Sequence, residues 1–175
     1  MKRIVTTGLL TALFGIISLS GCGGGGGGGS TPTPPPLTQP TTAVLEISTQ
    51  GTLPSGSQIG GIDVTIALPN GVTVKSATNP PETDSGVVVT SGVAVENSTV
   101  LSTYTAATST STGNVRVLLA NSSGFGTGEF LTIYCDIASG STPTASDFSV
   151  SGFVVKDLNG AAISGLNAAF TAAFQ

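Results

Sequence analysis

The sequence predicts an all-β protein, a β-sandwich of about nine strands. Beyond Ala43, Val, Ile and Thr are abundant while Lys, Glu and Arg are scarce, a balance that favours strands over helices. Short runs in which apolar and polar residues alternate are separated by Gly, Pro, Asn and Ser. No stretch shows a sustained apolar period of 3.6 residues. About 133 residues, 43–175, remain for one folded domain with a single core.

Each predicted strand is a run of alternating or mainly apolar residues that ends at a turn signal. The clearest alternation is at residues 62–68, which Pro69-Asn70-Gly71 ends with residues suited to a turn. The predicted strands are residues 45–48, 62–68, 72–74, 87–95, 99–105, 115–119, 131–137, 148–154 and 166–174. A helix is the alternative for the last run, because Phe170 and Phe174 are four residues apart in an Ala-rich stretch.

Loops are predicted at residues 121–128 and 157–160. The first contains Gly124-Phe125-Gly126-Thr127-Gly128, which opens a strand and not a helix, so we interpret it as a hairpin connection without a bound phosphate. The second, Asp157-Leu158-Asn159-Gly160, has hairpin-turn chemistry. It could also offer oxygen ligands to calcium, and the sequence leaves that alternative open.

Residues 1–21 have the parts of an export signal. Lys2 and Arg3 form the positive end, and a modestly apolar run follows that is too short and too diluted by Gly and Thr for a spanning helix. The run closes with Leu19-Ser20-Gly21-Cys22, which resembles the lipobox of bacterial lipoproteins. That resemblance implies lipid attachment to Cys22, cleavage before it, and a protein anchored to the cell envelope. Because Gly23 and not Asp follows Cys22, it also implies sorting to the outer membrane in a cell that has one.

Residues 22–42 are predicted to be a disordered tether. Seven glycines, residues 23–29, have maximal backbone freedom, and the Pro-rich residues 30–42 favour an extended polyproline conformation. At ~3.1 Å per residue, this second part could hold a domain ~40 Å from its anchor.

Charge and the absence of histidine exclude several functions. Beyond residue 21, three cations face nine carboxylates, a net charge of −6, so we expect no nucleic-acid partner. The chain has no histidine, which excludes Ser-His-Asp and Cys-His catalysis and argues against most transition-metal sites. The acids are scattered and do not suggest the opposed pair of a glycosidase. We expect no enzyme activity, no catalytic residues, no metal and no cofactor.

Three further side chains are candidates for particular positions. Cys135 alternates with Leu131, Ile133 and Ile137, which places it in the core as a small apolar residue. Tyr134 lies on the opposite, polar face of that run and is the best candidate for an exposed contact, with a surface cross-strand pair as the alternative. Tyr104 is the second candidate for a binding surface.

Several segments resemble cohesin domains, in an order that covers most of residues 43–175. IGGIDVTI (residues 59–66) resembles the early cohesin strand, and GNVRVLLA (113–120) resembles the central one. GEFLTIYC (128–135) is similar to the next strand, and residues 147–160 resemble the closing region that ends in Asp-x-Asn-Gly. The resemblance implies a jelly-roll sandwich related in fold to some carbohydrate-binding modules.

Cohesins bind dockerins through one sheet face, with main-chain and polar contacts. Here Ala67-Leu68-Pro69-Asn70-Gly71 replaces the usual aliphatic-plus-Asp strand, so the fold is carried over but the dockerin partner is not. The sequence therefore predicts an exported, lipid-anchored and non-catalytic module. Its expected role is protein binding or structure at the cell surface, and its alternative is carbohydrate binding to polysaccharide.

Overall fold

The computed structural model describes residues 39–76 and 81–175, which form ten β-strands and two single-turn 3-10 helices. The strands are β1 (Thr42–Gln50), β2 (Ile59–Leu68), β3 (Val72–Thr73), β4 (Val88–Thr90), β5 (Ser98–Thr105), β6 (Gly113–Phe125), β7 (Glu129–Ile137), β8 (Ser149–Asp157), β9 (Ala162–Ile163) and β10 (Asn167–Phe174). The 3-10 helices are Gly92–Ala94 and Ala145–Asp147. The predicted all-β sandwich is confirmed, with ten strands in the described ranges against about nine expected.

The strands form two antiparallel sheets. Sheet A has the order β10-β1-β7, and the short strands β3 and β4 both pair with β7 on its far side. Sheet B has the order β5-β6-β2-β8-β9. Strands distant in sequence are therefore neighbours in both sheets, as β1 and β10 are in sheet A.

The core lies between the sheets because alternate residues of each strand face inward. In β2 the inward residues Val64 and Ile66 are buried while their neighbours are not, and Val115 and Val117 do the same in β6. The predicted face of Leu131, Ile133, Cys135 and Ile137 is confirmed as buried.

A β-bulge adds Phe130 to this core. Ile47 pairs with Leu131 and Ser48 with Glu129, so β1 has no partner opposite Phe130. The extra residue turns the Phe130 ring inward, where it is fully buried, 6.5 Å between centroids from Phe153. Phe130 is among the largest fully buried side chains, and strict alternation would have placed it on the outside.

The predicted turn at Pro69-Asn70-Gly71 is confirmed. The backbone amide of Val72 donates to the carbonyl of Pro69 at 3.1 Å, and Gly71 has a φ of +80°. A Cβ at Gly71 would also collide with the Ser141 side chain. Both features require glycine at this position.

Two predicted boundaries were wrong. Residues 87–95 form only the three-residue β4 and then a 3-10 helix at Gly92–Ala94. The predicted loop at residues 121–128 is mostly strand, because β6 continues to Phe125.

The Asn121 side chain explains the second error. It is buried, its amide donates to the Glu96 carbonyl (2.7 Å) and the Ser98 hydroxyl (2.8 Å), and its oxygen accepts from the backbone amides of Ser123 (2.9 Å) and Gly124 (2.6 Å). A residue typical of loops is thereby tied into the strand. At the C-terminus, residues 167–174 are the strand β10, so the helical alternative is excluded.

Candidate functional site

The outer face of sheet B carries three of the large apolar side chains that are exposed among the described residues. Strand register sets its side chains in rows across β5, β6, β2 and β8. One row consists of Leu101, Leu118, Asp63 and Val154, and a second consists of Thr103, Arg116, Thr65 and Ser151. We call these two rows, with the neighbouring residues Thr99, Ala120, Gly61 and Lys156, the open face.

Three large apolar side chains in the first row point into solvent. Leu101, Leu118 and Val154 are 50%, 40% and 43% exposed. Leu101 and Leu118 are directly opposite each other on β5 and β6, while Asp63 separates Leu118 from Val154. Apolar residues on an outer sheet face, grouped and not scattered, are typical of a surface that another molecule covers.

An ion pair joins this first row to the second, with Asp63 in the first row and Arg116 in the second. The guanidinium of Arg116 donates through Nε and one terminal nitrogen to the two carboxylate oxygens of Asp63, at 3.1 and 2.8 Å. The hydrogen bonds from Arg116 hold the pKa of the Asp63 carboxyl below its usual value. Arg116 keeps more than half of its side-chain surface exposed, so its remaining donors can reach a partner.

The open face is concave, with a groove of about 530 Å³. Its floor includes Gly61 and Ala120, which are opposite each other and carry little or no side chain. Leu101, Leu118 and Val154 line the groove, and Lys156 contributes a cation beside them. The groove thus combines exposed apolar side chains with an ion-paired Asp63 among them and cations beside them, and many protein interfaces mix such groups.

The groups of the open face suit binding better than acid–base chemistry. Its one carboxylate, Asp63, is held by Arg116 and does not face a second acid across the groove. In residues 39–76 and 81–175 no three His, Cys, Asp or Glu side chains gather where a metal ion could bind.

The described part of the chain does not contain a helix long and apolar enough to cross a membrane.

The two predicted surface tyrosines have different environments. Tyr134 lies on the outer face of sheet A, 49% exposed, beside a depression that Val44, Lys75 and Asp136 also line. Tyr104 is only 8% exposed and belongs to the core, where burial raises the pKa of its phenol. The predicted surface position of Tyr104 is therefore wrong, because residues 98–105 alternate with Ser102 and Tyr104 inward.

Cys135 lies in the core as predicted, and burial raises the pKa of its thiol to about 12. We expect iodoacetamide to leave Cys135 unmodified in the native protein near neutral pH and to modify it rapidly in concentrated urea. Mass spectrometry of the alkylated chain measures both. Rapid labelling of the folded protein would contradict the buried position.

The same pKa shift predicts a pH dependence of the free energy of unfolding. In the unfolded chain the thiol ionises near its ordinary pKa of ~8.5. The neutral thiol is the form that the core accommodates, so its contribution is complete below about that pH and is lost progressively as the pH rises towards 12.

Asp157 directs its carboxylate into its own turn. One carboxylate oxygen accepts from the backbone amides of Asn159 (2.9 Å) and Ala161 (2.8 Å). Residues 158–161 connect β8 to β9, and the amide of Gly160 donates to the carbonyl of Asp157 at 3.0 Å. The turn interpretation is confirmed. The predicted leader, residues 1–21, and residues 22–38 of the predicted tether, which include Cys22, lie outside the described residues.

The open face was missed by the sequence analysis, although part of its signal was present. Leu118 alternates with buried Val117 and Leu119 and shares the outward face with Arg116. Arg116 shows that this face of β6 is exposed to solvent, so a large apolar residue on the same face, such as Leu118, indicates a contact with another molecule. The approach of Leu101 and Val154 to Leu118 depends on the strand order β5-β6-β2-β8, which local patterns do not reveal.

No family model and no curated protein matches this chain. Among solved structures, the chain is similar to the non-cellulosomal cohesin from the hyperthermophilic archaeon Archaeoglobus fulgidus, with a TM-score of 0.46 and 14% sequence identity. The similarity covers 72% of this chain and 75% of that chain. The two-sheet architecture described above follows from this chain's own strand pairing.

Proposed function

We propose that this chain is a membrane-anchored, non-catalytic module that binds a protein partner through the open face of sheet B. The observation that carries the proposal is the exposed row of Leu101, Leu118 and Val154 beside the Asp63–Arg116 ion pair. Burial of these side chains under a partner would remove them from water, and each is worth up to about 1.5–3 kcal/mol when fully buried.

A protein fits this face better than a polysaccharide does. Sugar platforms use flat exposed aromatic rings, whereas the residues that line the groove are aliphatic, small or charged and include no aromatic ring. Exposed aliphatic side chains with an arginine beside them suit a protein interface.

The anchor is proposed from the sequence. Leu19-Ser20-Gly21-Cys22 resembles a lipobox, so Cys22 would carry the lipid. Residues 23–41 would separate the domain from the outer membrane, because Thr42, predicted as the last residue of the tether, already belongs to β1. The open face would then be presented to a partner in the periplasm or at the cell surface.

Substitution of Leu118 by arginine tests the binding role. Leu118→Arg places a charge in the row of exposed apolar side chains. Because the position is exposed on a strand, the fold should persist while the affinity for the partner falls. With the full chain as bait in envelope extract, we expect a partner that binds the unchanged protein to bind Leu118→Arg about thirtyfold more weakly, the effect of losing a contact worth ~2 kcal/mol.

Tyr134→Ala is the control on the other sheet, because Tyr134 is also exposed, 49% against 40% for Leu118, but belongs to sheet A. This variant should retain the partner. Retention by Leu118→Arg together with loss by Tyr134→Ala would overturn the assignment of the binding site to sheet B.

Carbohydrate binding is the second candidate, and exposed Tyr134 is the observation that favours it. The phenol lies beside Lys75, Asp136 and Gln175, polar groups that could bind sugar hydroxyls. A glycan array that shows saturable binding weakened by Tyr134→Ala, and unaffected by Leu118→Arg, would establish this function instead.

A further inference from the structure

The strand β10 is an exposed edge of sheet A. All eight of its residues pair with β1, and within residues 39–76 and 81–175 no strand pairs with its other side. Among the described residues the other edges are short, covered or interrupted. The strand β8 pairs with β9 only at Val155 and Lys156, and a bulge at Gly152 (φ +61°) interrupts the rest of its edge. The β5 edge is bonded by residues 81–83, through Tyr104 N–H to the Pro81 carbonyl (2.9 Å) and Thr83 N–H to the Ser102 carbonyl (3.1 Å), while β3, β4 and β9 have only two or three residues.

The register with β1 identifies the backbone groups on the outer side of β10. Gln175 and Thr42 exchange two hydrogen bonds of 3.0 Å, N–H to C=O in both directions, so the backbone of Gln175 points towards β1. Groups alternate along an antiparallel strand, and no bulge interrupts this pair. The N–H and C=O groups of the alternate residues therefore point away from β1. These residues are Ala168, Phe170, Ala172 and Phe174.

This edge lacks the features that usually prevent strands from joining. Natural edge strands carry charged residues, proline or a bulge, or are very short. Asn167–Phe174 reads NAAFTAAF, with no charge and no proline over eight residues. It can therefore accept another extended strand along its whole length.

We propose that β10 pairs antiparallel with β10 of a second copy of this chain, with Thr171 on the two-fold axis. In that register Phe170 is opposite the second copy's Ala172, and Ala168 is opposite its Phe174. Each ring on the core-facing side then meets a methyl group. On the outer side Thr171 meets its own copy, a favourable cross-strand pair. The outward amides and carbonyls of both strands become hydrogen-bonded pairs.

The alternation of phenylalanine and alanine, together with the length of the overlap, favours this register and this occupant. Axes at Ala169 or Ala173 would also set Phe opposite Ala, but they would pair fewer residues of β10. A two-fold axis at Phe170 would set that ring against itself, and an axis at Ala172 would set Phe170 against Phe174. With the axis at Thr171, every large core-facing side chain is opposite a small one. The strand is thus complementary to itself, as an isologous dimer requires.

A single cysteine on the two-fold axis tests the proposal. Two directly opposite residues in a non-hydrogen-bonded pair have Cα atoms ~4.5 Å apart, within disulfide range. We expect the full-length Thr171→Cys chain, oxidised in the cell envelope with diamide, to migrate mainly as a dimer on a non-reducing gel. Cys135 is buried, so it should not cross-link. Cys22 is present in every variant, so the amount of dimer that it forms is measured with the unchanged protein.

Neighbouring positions on the same face provide the control. Ala169→Cys and Ala173→Cys each lie four residues from their own copies across the pair, about 14 Å, so each alone should stay monomeric. Co-expression of these two variants should produce a cross-linked dimer, because residues 169 and 173 are opposite each other. Absence of the Thr171→Cys dimer, or equal cross-linking by all three single variants, would overturn the proposal.

Discussion

Replacement of Phe130 by alanine is expected to lower the free energy of unfolding by about 3–5 kcal/mol. The Phe130 ring is fully buried at the bulge between β1 and β7 and packs near Phe153. Its loss leaves a cavity that the two sheets can close only in part. Because single domains are stable by about 5–15 kcal/mol, this variant would lose a large share of its stability. Urea denaturation followed by far-UV circular dichroism measures the change.

Two variants separate the role of the ring from general sensitivity to substitution. Phe130→Leu retains much of the volume and should cost clearly less than Phe130→Ala. Leu101→Ala, at a half-exposed position on the open face, should change the free energy of unfolding by no more than about 0.5 kcal/mol. Equal effects of Phe130→Ala and Leu101→Ala would show that the bulge does not place Phe130 in the core.

Replacement of Cys22 by alanine is expected to abolish lipid attachment completely. The proposed thioether needs the Cys22 sulfur, and cleavage before residue 22 depends on the same modification. In cells fed a fatty acid with a clickable alkyne, the unchanged protein should carry the label and lack residues 1–21. Cys22→Ala should carry no label and keep those residues, as intact-mass measurement would show.

The chain provides its own control for this experiment, since it has only two cysteines. Cys135→Ala removes the buried thiol and should leave labelling unchanged. Label that persists in Cys22→Ala, or that disappears in Cys135→Ala alone, would contradict the assignment of the lipid to Cys22.

The sequence predicted the strands that alternate strictly, because alternation reports directly which side of a strand is buried. The buried face of β7 and the outward position of Arg116 follow from local pattern alone. The same reasoning failed where one residue interrupts the alternation or where a polar side chain is buried. Phe130 turns inward because no residue of β1 pairs with it at the bulge. Asn121 lies in β6 because its side chain is hydrogen-bonded to residues 96 and 98.

The candidate site could be predicted only in part, because it is made by neighbours distant in sequence. Leu101 and Leu118 are close since β5 pairs with β6, and Asp63 reaches Arg116 across β2 and β6, 53 residues apart in the chain. Tyr104 was assigned to the surface by residue type, whereas the alternation of β5 buries it. Strand order decides such a site, and short motifs carry little information about strand order.

The central position of β1 in sheet A has a mechanical consequence. The chain enters the domain at Thr42, and β1 is bonded along its length to β10 on one side and to β7 on the other. These hydrogen bonds run perpendicular to the strand. Tension applied along β1 from Thr42 therefore loads its hydrogen bonds to β10 and to β7 together and does not break them one at a time. Resistance to force is governed by the rate of unfolding and not by equilibrium stability. A load transmitted through residues preceding Thr42 would thus meet the domain at a strand that is hydrogen-bonded on both sides.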